Sequence, residues 1–384
     1  MQKVFEDILS VIKDAFPAQA LIPLHAPVFP GNERKYVLDA IDSTYVSSVG
    51  AYVNKFERMM CDITGASHAV AIVNGTNALH LALILAGVVR EDEVLSQSLT
   101  FIATCNAISY LSATPVFIDV DKDTIGLSAD SLRQFLDKNA RIGQDGFCYN
   151  KRSGKRIKAC VPMHTFGFPC RIDEIAQICA QWNIMLVEDA AESLGSSYKG
   201  KHTGTFGTLG TFSFNGNKTV TCGGGGAIVT NDENLARRAK HLSTQAKVPH
   251  AWEFVHDEVG FNYRMPNLNA ALACAQLEEL NSFVSNKRDL AQLYHRKFKS
   301  LKLSILEEIT GSKSNYWLNG IFFENRHQRD EFLTYSNENG VMTRPVWELM
   351  HRLKMFSGGH NAPLPNSEWI ADRLVNIPSS VRME

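Results

Sequence analysis

No two of the eight cysteines stand at the spacing of a metal knuckle or a redox pair. They fall singly at positions 61, 105, 148, 160, 170, 179, 222 and 274, so reduced and mostly buried thiols are expected, with no metal site. An excess of charge is also missing. With 39 basic and 40 acidic side chains the formal charge is −1, which gives no electrostatic reason to expect nucleic acid or a membrane as partner. Long apolar runs are absent as well. The opening MQKVFEDILSVIKDAF sets Phe5, Ile8, Leu9, Ile12 and Phe16 at helical spacing, but charges interrupt it, so it is neither a signal core nor a spanning helix. A cytoplasmic protein is expected, with this helix packed on its body or, alternatively, docking a partner. No repeat of fixed period appears.

What is present is an alternation. The chain has 384 residues, 45% of them apolar, enough for two or three structural units at about 100–200 residues each. From Ser67 to about Thr230, short apolar runs alternate with helical patterns: HAVAIV then ALHLALILAGV, EVLSQ then FIATCNAISYL, TPVFIDVD then SLRQFLD, KACVPM then IDEIAQICAQW, and MLVEDA. Strands separated by helices of this length imply an α/β domain with a largely parallel sheet covered on both faces. Ligands of such sheets bind beyond the carboxyl ends of the strands. NGT, HTFG and DAAES should therefore face one crevice.

GTFGTLGTFSF and GGGAIVTN read as two further strands. Pro266 opens a long helical pattern, NLNAALACAQLEELNSFVSNKRDLAQLYHRKF, as proline suits a helix start. NYWLNGIFFE, HQRDEFLTYSNENG and VMTRPVWEL then read as strand, helix and strand of a smaller α+β C-terminal domain. The expected division is an N-terminal helix and arm over 1–30, a large α/β domain over 31–265 and a long helix with the small domain over 266–384. A basic hairpin at about 140–158 interrupts the large domain, with Ser153 and Gly154 as its turn and Lys151, Arg152, Lys155, Arg156 and Lys158 on it. Its cations are either solvated or meet the phosphates of a ligand or a neighbouring subunit.

Lys218, in SFNGNKTVTCGGGGAIVT, is the chemical centre of this reading. A lysine ahead of four glycines, with Asp189 closing an apolar strand upstream, has the layout of a pyridoxal phosphate site. Lysine forms Schiff bases with aldehydes, and a pyridinium nitrogen needs a carboxylate to keep its proton. A buried Asp189 would need such a cation; otherwise it caps the helix start AAESLG. Glu192 is its capping-box partner or reaches the phenolic oxygen of the ring. Gly75, Thr76 and Asn77 follow Asn74 at a strand-to-helix turn whose amides favour an anion, and Ser213 would add a hydroxyl. Phe101 is either a stacking surface or core, and His164 either touches ring or substrate or is a hydrogen-bonded strand end.

In order along the chain, NGTNALHLAL, QSLTFIATCNAI, TPVFIDVD, VPMHTFG, VEDAAES, FSFNGNK with its glycines, GFNYRMPNLNAALACAQLE and TRPVW resemble the DegT/StrS family of sugar aminotransferases over nearly the whole length. LHAPVFPGNERKYVLDAIDSTYVSSVG, SFNGNK and the basic hairpin look most like its LegC and PglE branch. The resemblance implies a fold type I pyridoxal phosphate-dependent transferase in which Lys218 bonds the cofactor and Asp189 holds the pyridine nitrogen. It further implies that Gly75, Thr76, Asn77 and Ser213 hold the phosphate, that Phe101 stacks and that Glu192, where relatives often have glutamine, sits beside the phenolic oxygen. It implies a homodimer with shared active sites, in which Asn262 reaches the partner's phosphate and Arg264 anchors a carboxylate or ties its own loop. His25, Ser47 and Ser48 become sugar contacts on the same ground.

The implied reaction moves an amino group from L-glutamate, through pyridoxamine phosphate and with release of 2-oxoglutarate, to carbon 4 of a nucleotide-linked 4-keto-6-deoxy sugar. For that branch the substrate is UDP-2-acetamido-2,6-dideoxy-4-hexulose and the product UDP-4-amino-4,6-dideoxy-N-acetyl-D-glucosamine, as in UDP-N-acetylbacillosamine and glycan biosynthesis. dTDP or GDP sugars are the enzymatic alternative. A pyridoxamine-dependent dehydratase would lack the lysine, and a cofactor-bound regulatory or scaffolding protein is the non-catalytic alternative.

Overall fold

A computed structural model describes residues 2–17 and 19–382. Its main sheet is built, in chain order, from β1 (His68–Ile72), β2 (Glu93–Gln97), β3 (Thr114–Ile118), β4 (Ile157–Val161), β5 (Met185–Asp189), β6 (Leu209–Ser213) and β7 (Gly226–Thr230). Across the sheet they run β1-β7-β6-β5-β4-β2-β3. The pairs β2/β3, β2/β4, β4/β5 and β5/β6 are parallel, and only β7 runs against its neighbours β6 and β1 among the described residues. Parallel strands require a crossover helix, whereas an antiparallel return needs only a short loop. Residues 214–225 are that loop, and they carry Lys218 at the carboxyl edge of β6.

Side-chain alternation fills two cores. Ala227 and Val229 face the layer made by helices Ala51–Thr64 and Asn267–Glu278, while Ile228 between them faces the layer made by Gly75–Leu85, Ile102–Tyr110 and Glu233–Ser243. That is the two-residue period of a strand buried on both sides. The helix Gly75–Leu85 is buried along most of its length, which explains why its sequence is apolar all round.

A second sheet, all antiparallel, orders Ser304–Ile305, Asn319–Phe322, Leu374–Ile377 and Arg344–Pro345. Helix Gln2–Ala15 packs Phe5, Ile8, Leu9 and Ile12 against Tyr294, Phe298, Ile321, Phe332 and Ile377. Each such side chain stabilises by roughly 1.5–3 kcal/mol on burial, so the N-terminal helix is tied to the C-terminal sheet rather than standing apart. No described helix is long and apolar enough to cross a membrane. All eight cysteines are free thiols and seven are buried.

Two local expectations are corrected. The long helix after Pro266 breaks between Glu278 and Leu280, with no proline or glycine to announce it. There Glu278 accepts from Lys55, Asn32 and Tyr36, and Gln276 donates to Val28 O; these long-range partners hold the end of the first helix. In the basic insertion, the paired strands Ala140–Ile142 and Cys148–Asn150 turn through 143–147, and Ser153 and Gly154 form a second turn closed by the bridge from Tyr149 to Arg156. The hairpin's cations are engaged locally: Lys155 with Glu91, Arg156 with Asp92, and Lys158 over the Phe147 ring.

Candidate active site

The carboxyl ends of β1, β5 and β6 converge on a cavity of about 400 Å³. Gly75, Thr76, Phe101, Asp189, Glu192, Ser213 and Lys218, scattered over 144 positions of chain (218 − 75 + 1), all line it. A larger groove of about 890 Å³, bordered by Lys122, Arg171, Glu307 and Trp369, lies elsewhere and is more open. The smaller cavity is the chemical one, because it joins a lysine to two buried carboxylates.

Beyond the end of β1, Asn74 is an extended N-cap whose side chain accepts the N–H of Asn77 at 2.8 Å. This is the standard way to satisfy an orphan amide of the first turn. The Asn77 amide, expected in the cradle, is thus already engaged, and Asn77 does not line the cavity. Gly75 and Thr76 remain there, and a Cβ on Gly75 would lie 2.7 Å from that of Ser213. Only glycine lets the helix start and the end of β6 approach this closely.

Asp189 is 2% exposed. One carboxylate oxygen accepts from the Thr104 hydroxyl at 2.7 Å and the other from the Ala191 N–H at 3.2 Å. No helix follows it; residues 190–195 form turns, so the N-cap alternative falls away. Burial holds its pKa above the ordinary carboxylate range against the opposing pull of Thr104, Ala191, Lys218 and His164. A buried carboxylate short of a cation is what a protonated ring nitrogen would complete.

Lys218 Nζ lies 3.1 Å from Glu192 Oε1 and 4.0 Å from the centre of the Trp317 ring. The other Glu192 oxygen accepts the Phe166 N–H at 2.9 Å. Burial raises the Glu192 pKa to about 7, Lys218 and Phe166 opposing. Glu192 is therefore no capping-box residue; it is the partner of the lysine. Phe101, 47% exposed, faces Trp347 with ring centres 6.0 Å apart. Together these groups fit pyridoxal phosphate: an amine, a carboxylate for the ring nitrogen, an aromatic face, and two amides with a hydroxyl for the phosphate.

The remaining expected residues stand outside this cavity. His164, expected as a possible substrate contact, is fully buried; its Nε2 bonds Glu188 at 2.9 Å and its Nδ1 accepts the Cys170 N–H at 3.3 Å. It is the strand-end histidine, directed to the interior because β4 continues into the core beside β5. His25 lies behind Trp317, ring centres 6.5 Å apart, with neither ring nitrogen partnered among the described residues. Burial first, then Lys287 and Lys218, hold it well below the usual imidazole range. Ser48 is half-buried on the N-terminal segment. Asn262 is exposed and accepts from Arg264 Nε at 3.1 Å.

Three contributors escaped sequence reasoning. Thr104 lies one turn beyond Phe101 in TFIAT, where a hydroxyl on the inner face was readable once the helix was assumed. Trp317 and Trp347 come from the C-terminal region, and although Trp347 closes the TRPVW run, nothing local assigns either ring to this site; the cavity shows that two of the chain's five tryptophans meet here.

The comparisons with known proteins agree with this geometry. The chain is 37% identical over 358 residues to GDP-perosamine synthase of Escherichia coli O157:H7, covering 93% of each. It superposes on the aminotransferase TlmJ from Streptoalloteichus hindustanus with a TM-score of 0.84 at 27% identity, covering 93% of each chain. The PLP form of Spr1654 from Streptococcus pneumoniae matches with a TM-score of 0.84 at 21% identity, over 95% of each chain, a likeness of fold alone. The model of the DegT/DnrJ/EryC1/StrS aminotransferase family matches residues 30–384, and this chain belongs to that family as a pyridoxal phosphate-dependent aminotransferase.

Proposed function

We propose that this enzyme moves an amino group from L-glutamate to carbon 4 of a GDP-linked 4-keto-6-deoxy sugar. The observation that carries the chemistry is the Lys218 amine 3.1 Å from Glu192 in the same cavity as the cation-poor Asp189. When bound, the cofactor supplies an electron sink for the carbanion that forms when a proton leaves the amino donor. Asp189 keeps the ring nitrogen protonated, and Thr104 fixes the orientation of that carboxylate. Gly75, Thr76 and Ser213 hold the phosphate, and Phe101 packs on the ring face. Lys218 Nζ, as a neutral amine, would take the proton from the donor's α carbon and return one in the second half on the sugar. Glu192 orients that amine between turns.

The nucleotide assignment rests on the name of the Escherichia coli relative, which specifies a GDP-linked amino sugar. It replaces the UDP-linked N-acetyl sugar expected from the LegC and PglE branch. A homodimer with shared sites is supported by an apolar exposed run just before Asn262 and Arg264: Trp252 is 77%, Phe254 80% and Val259 84% exposed. Such a surface suits a second copy of the chain, and Asn262 and Arg264, which do not line their own cavity, would reach the partner's.

The test is to incubate the enzyme and L-glutamate with GDP-, UDP- and dTDP-linked 4-keto-6-deoxy sugars and to identify products by mass and NMR. The GDP sugar is expected to turn over fastest. Turnover confined to the UDP-linked N-acetyl sugar would return the reading to the LegC and PglE branch, and no amination of any of them would remove the sugar assignment.

A further inference from the structure

Lys218 is reached by a segment outside both its own loop and the main sheet. Trp317, 5% exposed, donates its indole Nε1–H to the carbonyl of Asn217 at 2.7 Å and lays its ring 4.0 Å from Lys218 Nζ. The tryptophan is itself held twice. Its N–H donates to Asn315 Oδ1 at 2.8 Å, and its carbonyl accepts from Lys287 Nζ at 3.2 Å. Asn315 Nδ2 in turn donates to the carbonyls of Glu192 and Leu194, each at 2.9 Å. Residues 315–317 thus clasp both the turn that carries Glu192 and the loop that carries Lys218.

We infer that Trp317 is a positioning residue that seats the free ammonium of Lys218, its indole face forming one wall and the Glu192 carboxylate the other. The seat holds the amine in reach of the ring whenever it is not bonded to cofactor. This role rests on the reading of Lys218 as the cofactor lysine, while the seat is a property of the chain alone. An aromatic face attracts an ammonium and not a neutral amine, so the indole face and the Glu192 carboxylate hold Lys218 Nζ from two sides. The titratable groups that face Lys218 act alongside it: Glu192 and Asp189 from β5 and its turn, and His25 from the N-terminal segment, with Lys287 behind the Trp317 backbone.

The test compares wild type, Trp317→Phe and Trp317→Leu as cofactor-free full-length proteins. Lys218 is labelled with an amine-reactive anhydride at one fixed pH and quantified by peptide mass, with exposed Lys354 as internal control. The labelling rate of Lys218 is expected to rise about tenfold in Trp317→Leu and about threefold in Trp317→Phe, within the range of a partly desolvated cation–π contact. Lys354 should not move. A variant that melts cooperatively but leaves the Lys218 rate unchanged overturns the inference, and so does an equal rise at Lys354. Should Trp317→Leu not fold, Trp317→Phe decides. Borohydride reduction of the cofactor-loaded wild type separates the two readings. A reduced lysine other than Lys218 overturns the functional reading and this role with it; reduction at Lys218 with unchanged rates overturns the inference alone.

Discussion

Glu188 and Asp189 are consecutive on β5, equally buried and opposite in what surrounds them. Successive strand residues point to opposite faces. On one face, Glu188 accepts the N–H groups of Gly204, Phe206 and Gly207 at 2.6–2.7 Å and bonds His164 at 2.9 Å. On the other, Asp189 has one hydroxyl at 2.7 Å and one N–H at 3.2 Å. A carboxylate whose lone pairs are filled by the protein is architecture; one left short at the edge of a cavity is waiting for a ligand. Burial alone does not mark a carboxylate open to a ligand; unfilled hydrogen-bonding capacity does.

The largest effect should come from the groups that the cavity leaves open. Lys218→Ala is expected to abolish both turnover and the cofactor's visible absorbance, while melting remains cooperative; undiminished turnover would break the assignment. Asp189→Asn should cut kcat by about 10²–10³, the size of losing one preorganised electrostatic group, with little change in melting. Glu188→Ala should do the reverse. It strands the N–H groups of Gly204, Phe206 and Gly207 and the buried His164, so unfolding stability is expected to drop by about 3–5 kcal/mol, read by denaturant titration. Equal stability losses at 188 and 189 would erase the distinction between them.

Smaller effects sharpen it. Ser213→Ala removes one hydrogen bond to a charged group, worth about 1.5–3 kcal/mol, and should weaken cofactor binding by about tenfold or more by fluorescence titration, with kcat preserved at saturating cofactor. Glu192 bears on pH. Its folded pKa is raised to about 7 from 4.5 by burial, so the folded state holds the extra proton between these values. Its contribution to stability is therefore full below about pH 4.5 and lost as pH rises through about 7. In Glu192→Gln the decline of the melting temperature across that window should become shallower, Asp189 still acting in the same direction; an unchanged slope would show that Glu192 does not titrate there.

Much of this was legible in the chain. Strand and helix alternate visibly because parallel strands buried on both faces need continuous apolar runs and crossover helices. Gly75 and the glycines after Lys218 mark backbones that approach closely. The rest was hidden for a physical reason. Whether His164 faces cavity or core depends on one strand's register against Asp189, and nothing within VPMHTFG encodes it. The break after Glu278 is imposed by Lys55, Asn32 and Tyr36, which lie more than 200 positions away.

By itself, the sequence determined the fold class and the cofactor, and it pointed to Lys218 and Asp189 as the residues proposed to carry the chemistry, because these depend on local pattern and on residue type. Tertiary structure alone decided that Glu192 pairs with Lys218 and that Asp189 forms no ion pair among the described residues. It also decided that a tryptophan one hundred positions after Asn217 closes the lysine's seat. Partnership among buried polar groups is settled by three-dimensional packing, where each donor and acceptor must be counted, and no run of adjacent residues contains that count.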